Sequence, residues 1–215
     1  MTTPIDRADW HRYYSRKRVT QQWMQVHLLD GVAGERVLEI GPHHGFVTAL
    51  LDNLGYQVTT LDIRARTFDR PPCRHIQADL IDLDPQTIAN HDVILCCETL
   101  EHLPWEKVVG VLTMFRRSGA PWLITSVPYE GFQIFLQYYV NRFTFQRTSQ
   151  FKKLRFLKDY TPESDPLGHK WEVGYCGYSL KAWETMLRAS GWAIEERQFT
   201  APTRSVFHRL RNMER

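Results

Sequence analysis

From Arg36 onward, short apolar runs alternate with longer stretches in which apolar residues return at helical spacing. Five short runs have the length and composition of buried strands, at residues 36–41, 57–62, 74–79, 92–97 and 121–127. Helices are predicted from about Phe46 to Leu54 and from about Trp105 to Arg117. Strands that alternate with helices predict a parallel sheet with crossover helices.

The pattern changes after the fifth strand. Residues 128–170 contain many aromatic and basic side chains without a clear period, which predicts a variable insert or lid. Residues 179–192 predict a helix with Ser179 as its N-cap. Residues 193–199 and 204–210 then alternate as an antiparallel pair does.

The fold class that follows is α/β, a doubly wound and mostly parallel seven-stranded sheet with an antiparallel C-terminal hairpin and helices on both faces. We expect one domain over residues 1–215, with residues 1–33 as an N-terminal helical segment. A chain of 215 residues that is 43% hydrophobic can bury a core of this kind without a structural metal or a disulfide.

Composition removes several classes of protein from consideration. The net charge of +3 is too small to indicate nucleic acid as a partner by itself. The four cysteines form no C-x-x-C pair, so a zinc ribbon is excluded. No apolar signal region and no run of about 18 apolar residues occurs, and we therefore expect a soluble, cytoplasmic protein.

The densest chemical signal follows the first strand, where residues 37–45 read VLEIGPHHG. Gly41 and Gly45 allow the backbone to approach a ligand, and the following helix presents N–H donors. A dinucleotide fingerprint starting at Gly41 requires glycines at positions 43 and 46, where His43 and Phe46 stand. The loop therefore predicts a ligand crevice of another kind at the carboxyl edge of the sheet.

Later acidic residues extend this crevice, since Asp62 and Asp79 end the second and third strands. The motifs VLEIGPHHG, TLDI, QADL and DVILCCETLEHL, followed by a final hairpin, resemble those of class I S-adenosylmethionine-dependent methyltransferases over residues 34–210. The resemblance implies S-adenosylmethionine as cofactor and methyl transfer to an oxygen or nitrogen of a small or medium-sized acceptor.

The same resemblance assigns the cofactor-binding residues. It implies that Glu39 and the Gly41–Gly45 loop lie near the methionine part, that Asp62 holds the ribose, and that Asp79 with Leu80 holds the adenine. His43 departs from the family, which often has a glycine there. The full set that we predict is Glu39, Gly41, His43, Gly45, Asp62, Ile63, Asp79, Leu80 and Glu98.

Candidates for the chemistry follow the fourth strand, in the segment CETLEHLP at residues 97–104. In a helical turn, Glu98 and His102 would stand four residues apart and Glu98 and Glu101 three apart. His169 follows the insert in the segment GHKWE. We predict His169, Glu101 and His102 as catalytic residues.

The E-x-x-E-H and H-K-W-E segments together are similar to those of metal-dependent small-RNA 3′-terminal 2′-O-methyltransferases. That similarity implies Mg²⁺ or Mn²⁺ held by Glu98, Glu101, His102 and His169. Carboxylates and imidazoles suit such an ion. As alternatives, His169 acts as a metal-free general base, or Glu101 and His102 cap the helix and hydrogen-bond the cofactor loop.

Residues 129–160 leave three interpretations open. Aromatic and basic side chains suit a single-stranded RNA end, and an amphipathic basic helix suits an anionic membrane. The favoured interpretation is a lid whose aromatic side chains pack on the domain, with Trp171, Tyr175 and Tyr178 lining the far wall of the acceptor pocket.

The main hypothesis is thus a small-acceptor methyltransferase, and an RNA 3′-end 2′-O-methyltransferase is the alternative within the enzymes. From another class, a non-catalytic partner subunit of the same fold is the alternative. The oligomeric state stays open.

Overall fold

Five parallel strands form the centre of the protein. The structure, a computed structural model, describes residues 7–152, 155–201 and 204–214. The strands are β1 (Arg36–Ile40), β2 (Gln57–Asp62), β3 (Arg74–Gln77), β4 (Val93–Cys97) and β5 (Trp122–Pro128). All five predicted parallel strands are therefore confirmed, with ends that differ by at most two residues.

Four more strands follow β5. Strands β6 (Gln133–Val140) and β7 (Phe145–Lys152) form a separate two-stranded sheet, and β8 (Trp192–Thr200) and β9 (Ser205–Asn212) join the main one. The order of the main sheet is β3-β2-β1-β4-β5-β9-β8, with β9 antiparallel to both of its neighbours. This order confirms the predicted seven-stranded sheet and its antiparallel C-terminal pair.

Five α-helices complete the described fold: α1 (Arg7–Tyr13), α2 (Arg16–His27), α3 (Phe46–Asn53), α4 (Trp105–Arg117) and α5 (Leu180–Ala189). The N-terminal segment is two helices instead of one, because Ser15 begins a new helix by accepting a hydrogen bond from the Arg18 backbone N–H at 3.2 Å. Residues 1–6 of the predicted segment 1–33 lie outside the described residues. None of the helices that the structure describes is long and apolar enough to cross a membrane.

Helices cover both faces of the sheet, as the alternation of its buried residues shows. Leu38 of β1 belongs to a hydrophobic cluster with residues of α4 and α5, among them Leu112 and Trp183. Val37, its neighbour, belongs to a second cluster with Leu51 of α3 and Val26 of α2. Successive strand residues point to opposite faces, so each parallel strand packs against both helical layers.

The insert differs from what the sequence predicted. Within residues 128–170 the chain forms the β6–β7 hairpin, and the interpretation as an amphipathic helix is wrong. The apolar residues of IFLQYYV recur at every second position, which is the period of a strand. Most aromatic side chains of the hairpin are exposed, so they do not pack on the domain as expected. Residues 153–154 lie outside the description.

Candidate active site

A cavity of about 750 Å³ opens at the carboxyl edge of the parallel strands. The end of β1 supplies Glu39 and Gly41 to its wall, the end of β2 supplies Asp62, and residues after β3 and β4 supply the rest. Every predicted cofactor-binding residue except Gly45 lines this cavity, as do the three predicted catalytic residues. The fold therefore brings both predicted sets of residues to one space.

Glu39 is the buried carboxylate of the cofactor side. Its side chain accepts a hydrogen bond of 2.5 Å from the Thr48 hydroxyl, which α3 presents. Burial raises the pKa of Glu39 to about 7, although the hydrogen bond from Thr48 opposes the shift. A cation in the cavity would favour the ionised form of Glu39.

The loop after β1 is held in a left-handed backbone conformation at three positions. Gly41, His43 and Gly45 have φ values of 70°, 50° and 75°. A Cβ at Gly41 would come within 2.9 Å of the Thr99 hydroxyl, and one at Gly45 would meet the Phe68 ring at 2.7 Å. Gly45 thus shapes the turn into α3 without lining the cavity. His43 adopts the conformation that a glycine would provide more easily.

The N-terminal helices form a wall of the cavity that sequence reasoning missed. The Tyr13 ring stacks on the His43 ring with centroids 3.9 Å apart, and the Arg18 guanidinium lies 4.0 Å from the Tyr13 centroid. Burial, then the neighbouring cations, lowers the pKa of His43 to about 4. Gln21 lines the same wall. No motif in the sequence indicated these contacts, which depend on how α1 and α2 dock.

Asp62 and Asp79, which the motifs predict to bind the adenosine part of the cofactor, follow from neighbouring strands: Asp62 ends β2 and Asp79 follows β3. The Asp62 carboxylate accepts a hydrogen bond from the Arg64 backbone N–H at 2.9 Å, and Asp79 accepts one from Ile81 at 2.9 Å. Each aspartate therefore braces its own turn. Leu80 is buried beside them and gives the wall an apolar surface.

Glu98 occupies a different position from the one expected. Its backbone has a φ of 50°, and the only helical turn nearby is a 3₁₀ turn at Leu100–His102. The helical spacing between Glu98 and His102 does not form. The Glu98 carboxylate accepts a hydrogen bond of 2.9 Å from the Ser126 hydroxyl, and burial raises its pKa.

Glu101, His102 and His169 do come together. Their candidate ligand atoms all lie within 4.8 Å of one another, with Glu101 Oε1 at 3.9 Å from His169 Nε2. Glu101 is fully buried, and among the described residues neither of its carboxylate oxygens has a hydrogen-bond partner. Burial, and then the charge of Glu98, raises the pKa of Glu101 well above its usual range.

A second acidic residue orients His169. Glu172 Oε1 lies 3.0 Å from His169 Nδ1, and the Asp165 carboxylate lies 3.8 Å from the same nitrogen. This contact leaves Nε2 directed toward Glu101. The three-residue spacing of His169 and Glu172 in HKWE was the available signal. Trp171 lies in the core, where its indole N–H donates to the Leu103 carbonyl at 3.0 Å, so its placement on the pocket wall was wrong.

Comparison with known proteins finds one family model that matches part of the chain. The sequence model of a family described as a methyltransferase domain matches residues 38–121, which run from β1 to the start of β5. Over these residues the chain is similar to methyltransferase domains. Curated protein sequences contain no match to it.

Solved structures of low sequence identity share the fold over almost the whole chain. N-methyltransferase NodS from Bradyrhizobium japonicum WM9, in complex with S-adenosylhomocysteine, is 16% identical with a TM-score of 0.64, over 96% of this chain and 93% of that one. The 1,6-didemethyltoxoflavin-N1-methyltransferase of Burkholderia thailandensis is 15% identical with a TM-score of 0.61, over 99% and 93%. The methyltransferase domain of bacterial CtHen1 is 14% identical with a TM-score of 0.63, over 92% and 99%. Likeness at these identities establishes the class I fold.

Proposed function

We propose that this methyltransferase moves a methyl group from S-adenosylmethionine to an oxygen or nitrogen of a small or medium-sized acceptor. The observation that carries the proposal is one cavity that both predicted sets of residues line, apart from Gly45. We call the part with Glu39 and Asp62 the cofactor end and the part with His169 and Glu101 the acceptor end. Two similar folds, NodS and the toxoflavin-pathway enzyme named above, were solved with S-adenosylhomocysteine, and the latter also with its small substrate.

The cofactor side fits S-adenosylmethionine in its chemistry. Asp62 offers a carboxylate to the ribose hydroxyls, and Asp79 and Leu80 offer a polar and an apolar contact to the adenine. Glu39 offers a buried carboxylate to the positively charged methionine part. The close approach of Thr99 to Gly41 leaves no room for a larger side chain there.

On the acceptor side the protein has to orient a nucleophile and accept its proton. The cofactor supplies an activated methyl group on a sulfonium, which an acceptor displaces in line. His169 is the base that we assign, because Glu172 holds Nδ1 and leaves Nε2 facing the cavity. Glu172 is a positioning residue, because its contact with Nδ1 fixes the orientation of the His169 ring.

Thermal melting with S-adenosylhomocysteine tests the cofactor assignment. Ligand at about 100 times its Kd adds about 2.7 kcal/mol to the free energy of unfolding. For a chain of this size that corresponds to a rise in Tm of about 5–11 °C. NADH serves as the control and is expected to leave Tm unchanged. Equal shifts with both ligands, or no shift at millimolar S-adenosylhomocysteine, would contradict the assignment.

A second candidate is metal-assisted transfer, in which a divalent ion lowers the pKa of an acceptor hydroxyl. The observation that favours it is Glu101, a buried carboxylate with no hydrogen-bond partner among the described residues. The candidate ligand atoms of His102 and His169 lie within 4.8 Å of its own. Two imidazoles and a carboxylate suit Mn²⁺ or Zn²⁺, and more weakly Mg²⁺. In this candidate His169 is a ligand and not the base.

The two candidates separate in one comparison of variants. Metal-assisted transfer predicts that Mn²⁺ raises the Tm of the wild type but not of Glu101→Gln, and that EDTA abolishes turnover. The metal-free mechanism predicts EDTA-resistant turnover and equal responses of both proteins to Mn²⁺. Cytoplasmic location stays a prediction, and so does RNA as an acceptor.

A further inference from the structure

The β6–β7 hairpin has one apolar face. Because side chains alternate along a strand, Ile134, Leu136, Tyr138 and Val140 of β6 share a face with their partners on β7. The partners are Phe151, Ser149, Arg147 and Phe145. On the opposite face, Gln133, Phe135, Gln137 and Tyr139 pair with Lys152, Gln150, Thr148 and Gln146, so that face is more polar.

This apolar face is open to solvent along its whole length. Leu136 is 55% exposed, Val140 is 67% exposed and Phe145 is 65% exposed. A two-stranded sheet by itself is only marginally stable in water, and contiguous exposed apolar surface on this scale marks a binding site. The hairpin therefore presents a surface suited to a binding partner.

The turn at the tip of the hairpin places an aromatic side chain in solvent. Asn141 Oδ1 accepts hydrogen bonds from the backbone N–H groups of Phe143 and Thr144, at 2.8 and 3.0 Å. This turn leaves Phe143 85% exposed, with the Arg142 guanidinium 5.0 Å from its ring centroid. An aromatic ring beside a cation at a loop tip suits the boundary between headgroups and acyl chains.

The positive charge of the hairpin and of the segment that follows it indicates the kind of partner. Between Glu130 and Asp159 the sequence contains no acidic residue, whereas it contains Arg142, Arg147, Lys152, Lys153, Arg155 and Lys158. Two copies of so basic a segment repel each other, which disfavours the second copy as occupant. Tyr138 and Phe145 share the apolar face with Leu136 and Val140, whose aliphatic side chains offer bases no stacking surface and therefore favour a bilayer over single-stranded RNA. An anionic bilayer attracts the cations and accepts the aliphatic face.

We propose that the methyltransferase docks on anionic phospholipid bilayers through the apolar face and the basic tip of its β6–β7 hairpin. The hairpin begins beside the acceptor side, because the Glu130 backbone N–H donates to the Val173 carbonyl at 2.7 Å, next to Glu172. Docking would therefore turn the acceptor side of the cavity toward the membrane surface.

Vesicle sedimentation of the full chain tests the charge component. We expect binding to vesicles of phosphatidylcholine with phosphatidylglycerol, little binding to phosphatidylcholine alone, and weakening with salt. Each basic residue near an anionic surface strengthens binding about fivefold. Arg142→Gln with Arg147→Gln should therefore weaken binding roughly 20-fold. The matched control, Arg117→Gln with Lys181→Gln on exposed positions of α4 and α5, removes the same charge elsewhere.

A second pair of variants tests the apolar component. Leu136→Ser should weaken vesicle binding several-fold, whereas Leu54→Ser, at a position 59% exposed, should leave it unchanged. Absence of binding to the anionic vesicles, or equal losses in variant and control, would overturn the proposal. Competition of vesicle binding by a short single-stranded RNA that Leu136→Ser still binds would assign the surface to RNA. A stable dimer that Leu136→Ser dissociates would assign it to a second copy.

Discussion

Two buried carboxylates that line the cavity, Glu39 and Glu101, differ in their hydrogen bonds. At the cofactor end Glu39 accepts a hydrogen bond from Thr48, and Asp62 accepts one from the backbone of its own turn. At the acceptor end Glu101 is equally buried but has no hydrogen-bond partner among the described residues. A buried carboxylate without a partner destabilises the free protein.

The difference indicates what each end requires. At the cofactor end the carboxylates of Glu39 and Asp62 have hydrogen-bond partners within the protein. At the acceptor end the Glu101 carboxylate would gain a partner from a bound cation or an acceptor hydroxyl. Variants at the two ends should therefore change different quantities, affinity for the cofactor at one end and turnover at the other.

The largest effect is expected at His169. His169→Ala should lower kcat by about 10²- to 10⁴-fold, because it removes the assigned base, while the Kd for S-adenosylhomocysteine changes little. His27→Ala, at an exposed position outside the cavity, is the matched control. Glu172→Gln should retain part of the activity and shift its pH profile, because the orienting contact remains but its charge is lost. Loss of cofactor affinity in His169→Ala would contradict the assignment of His169 to the acceptor end.

The next effect concerns Asp62. Asp62→Ala should weaken S-adenosylhomocysteine binding about 10- to 100-fold, since hydrogen bonds that a charged carboxylate accepts contribute about 1.5–3 kcal/mol. Calorimetric titration measures the affinity directly. Asp82→Ala removes the same charge from an exposed position that does not line the cavity, and its affinity should equal that of the wild type. An unchanged Kd in Asp62→Ala would contradict the assignment of Asp62 to the ribose hydroxyls.

The raised pKa of Glu39 makes the stability of the folded protein depend on pH. Its pKa is raised from 4.5 to about 7 in the folded protein, so the folded state retains a proton that the unfolded state releases first. The stability that this proton contributes is fully present below about pH 4.5 and is lost as the pH rises to about 7. The loss is at most about 3 kcal/mol.

Glu39→Gln removes this dependence. The Tm of the variant relative to the wild type should therefore rise between pH 4.5 and pH 7 and stay level above that, in melts without ligand. Parallel curves for the two proteins across this interval would show that Glu39 ionises equally in both states.

The sequence predicted one end of the cavity better than the other. The cofactor end follows from local rules, because Glu39, Asp62 and Asp79 each end or follow a strand whose apolar run is unambiguous. The contact of Glu172 with His169 depends instead on a loop without a periodic pattern. Tyr13 reaches His43 only through the docking of α1, and the left-handed backbone at Glu98 prevents the helical spacing that E-x-x-E-H suggested.

The smallest effect distinguishes backbone strain from packing in the cofactor loop. Gly45 and Gly55 both have positive φ, of 75° and 88°, but a Cβ at Gly45 meets the Phe68 ring at 2.7 Å, whereas at Gly55 nothing lies within 4 Å. Gly55→Ala should therefore lower stability by about 1–2 kcal/mol from strain alone.

Gly45→Ala should lower stability by the same strain and by a further amount from displacing Phe68. It should also weaken S-adenosylhomocysteine binding, because Gly45 immediately precedes the first turn of α3. Phe68→Leu should recover part of that further loss in the Gly45→Ala protein and none in the Gly55→Ala protein. Equal Tm values and unchanged cofactor affinity for both alanine variants would mean that Phe68 moves freely, and that the ring does not hold the loop in place.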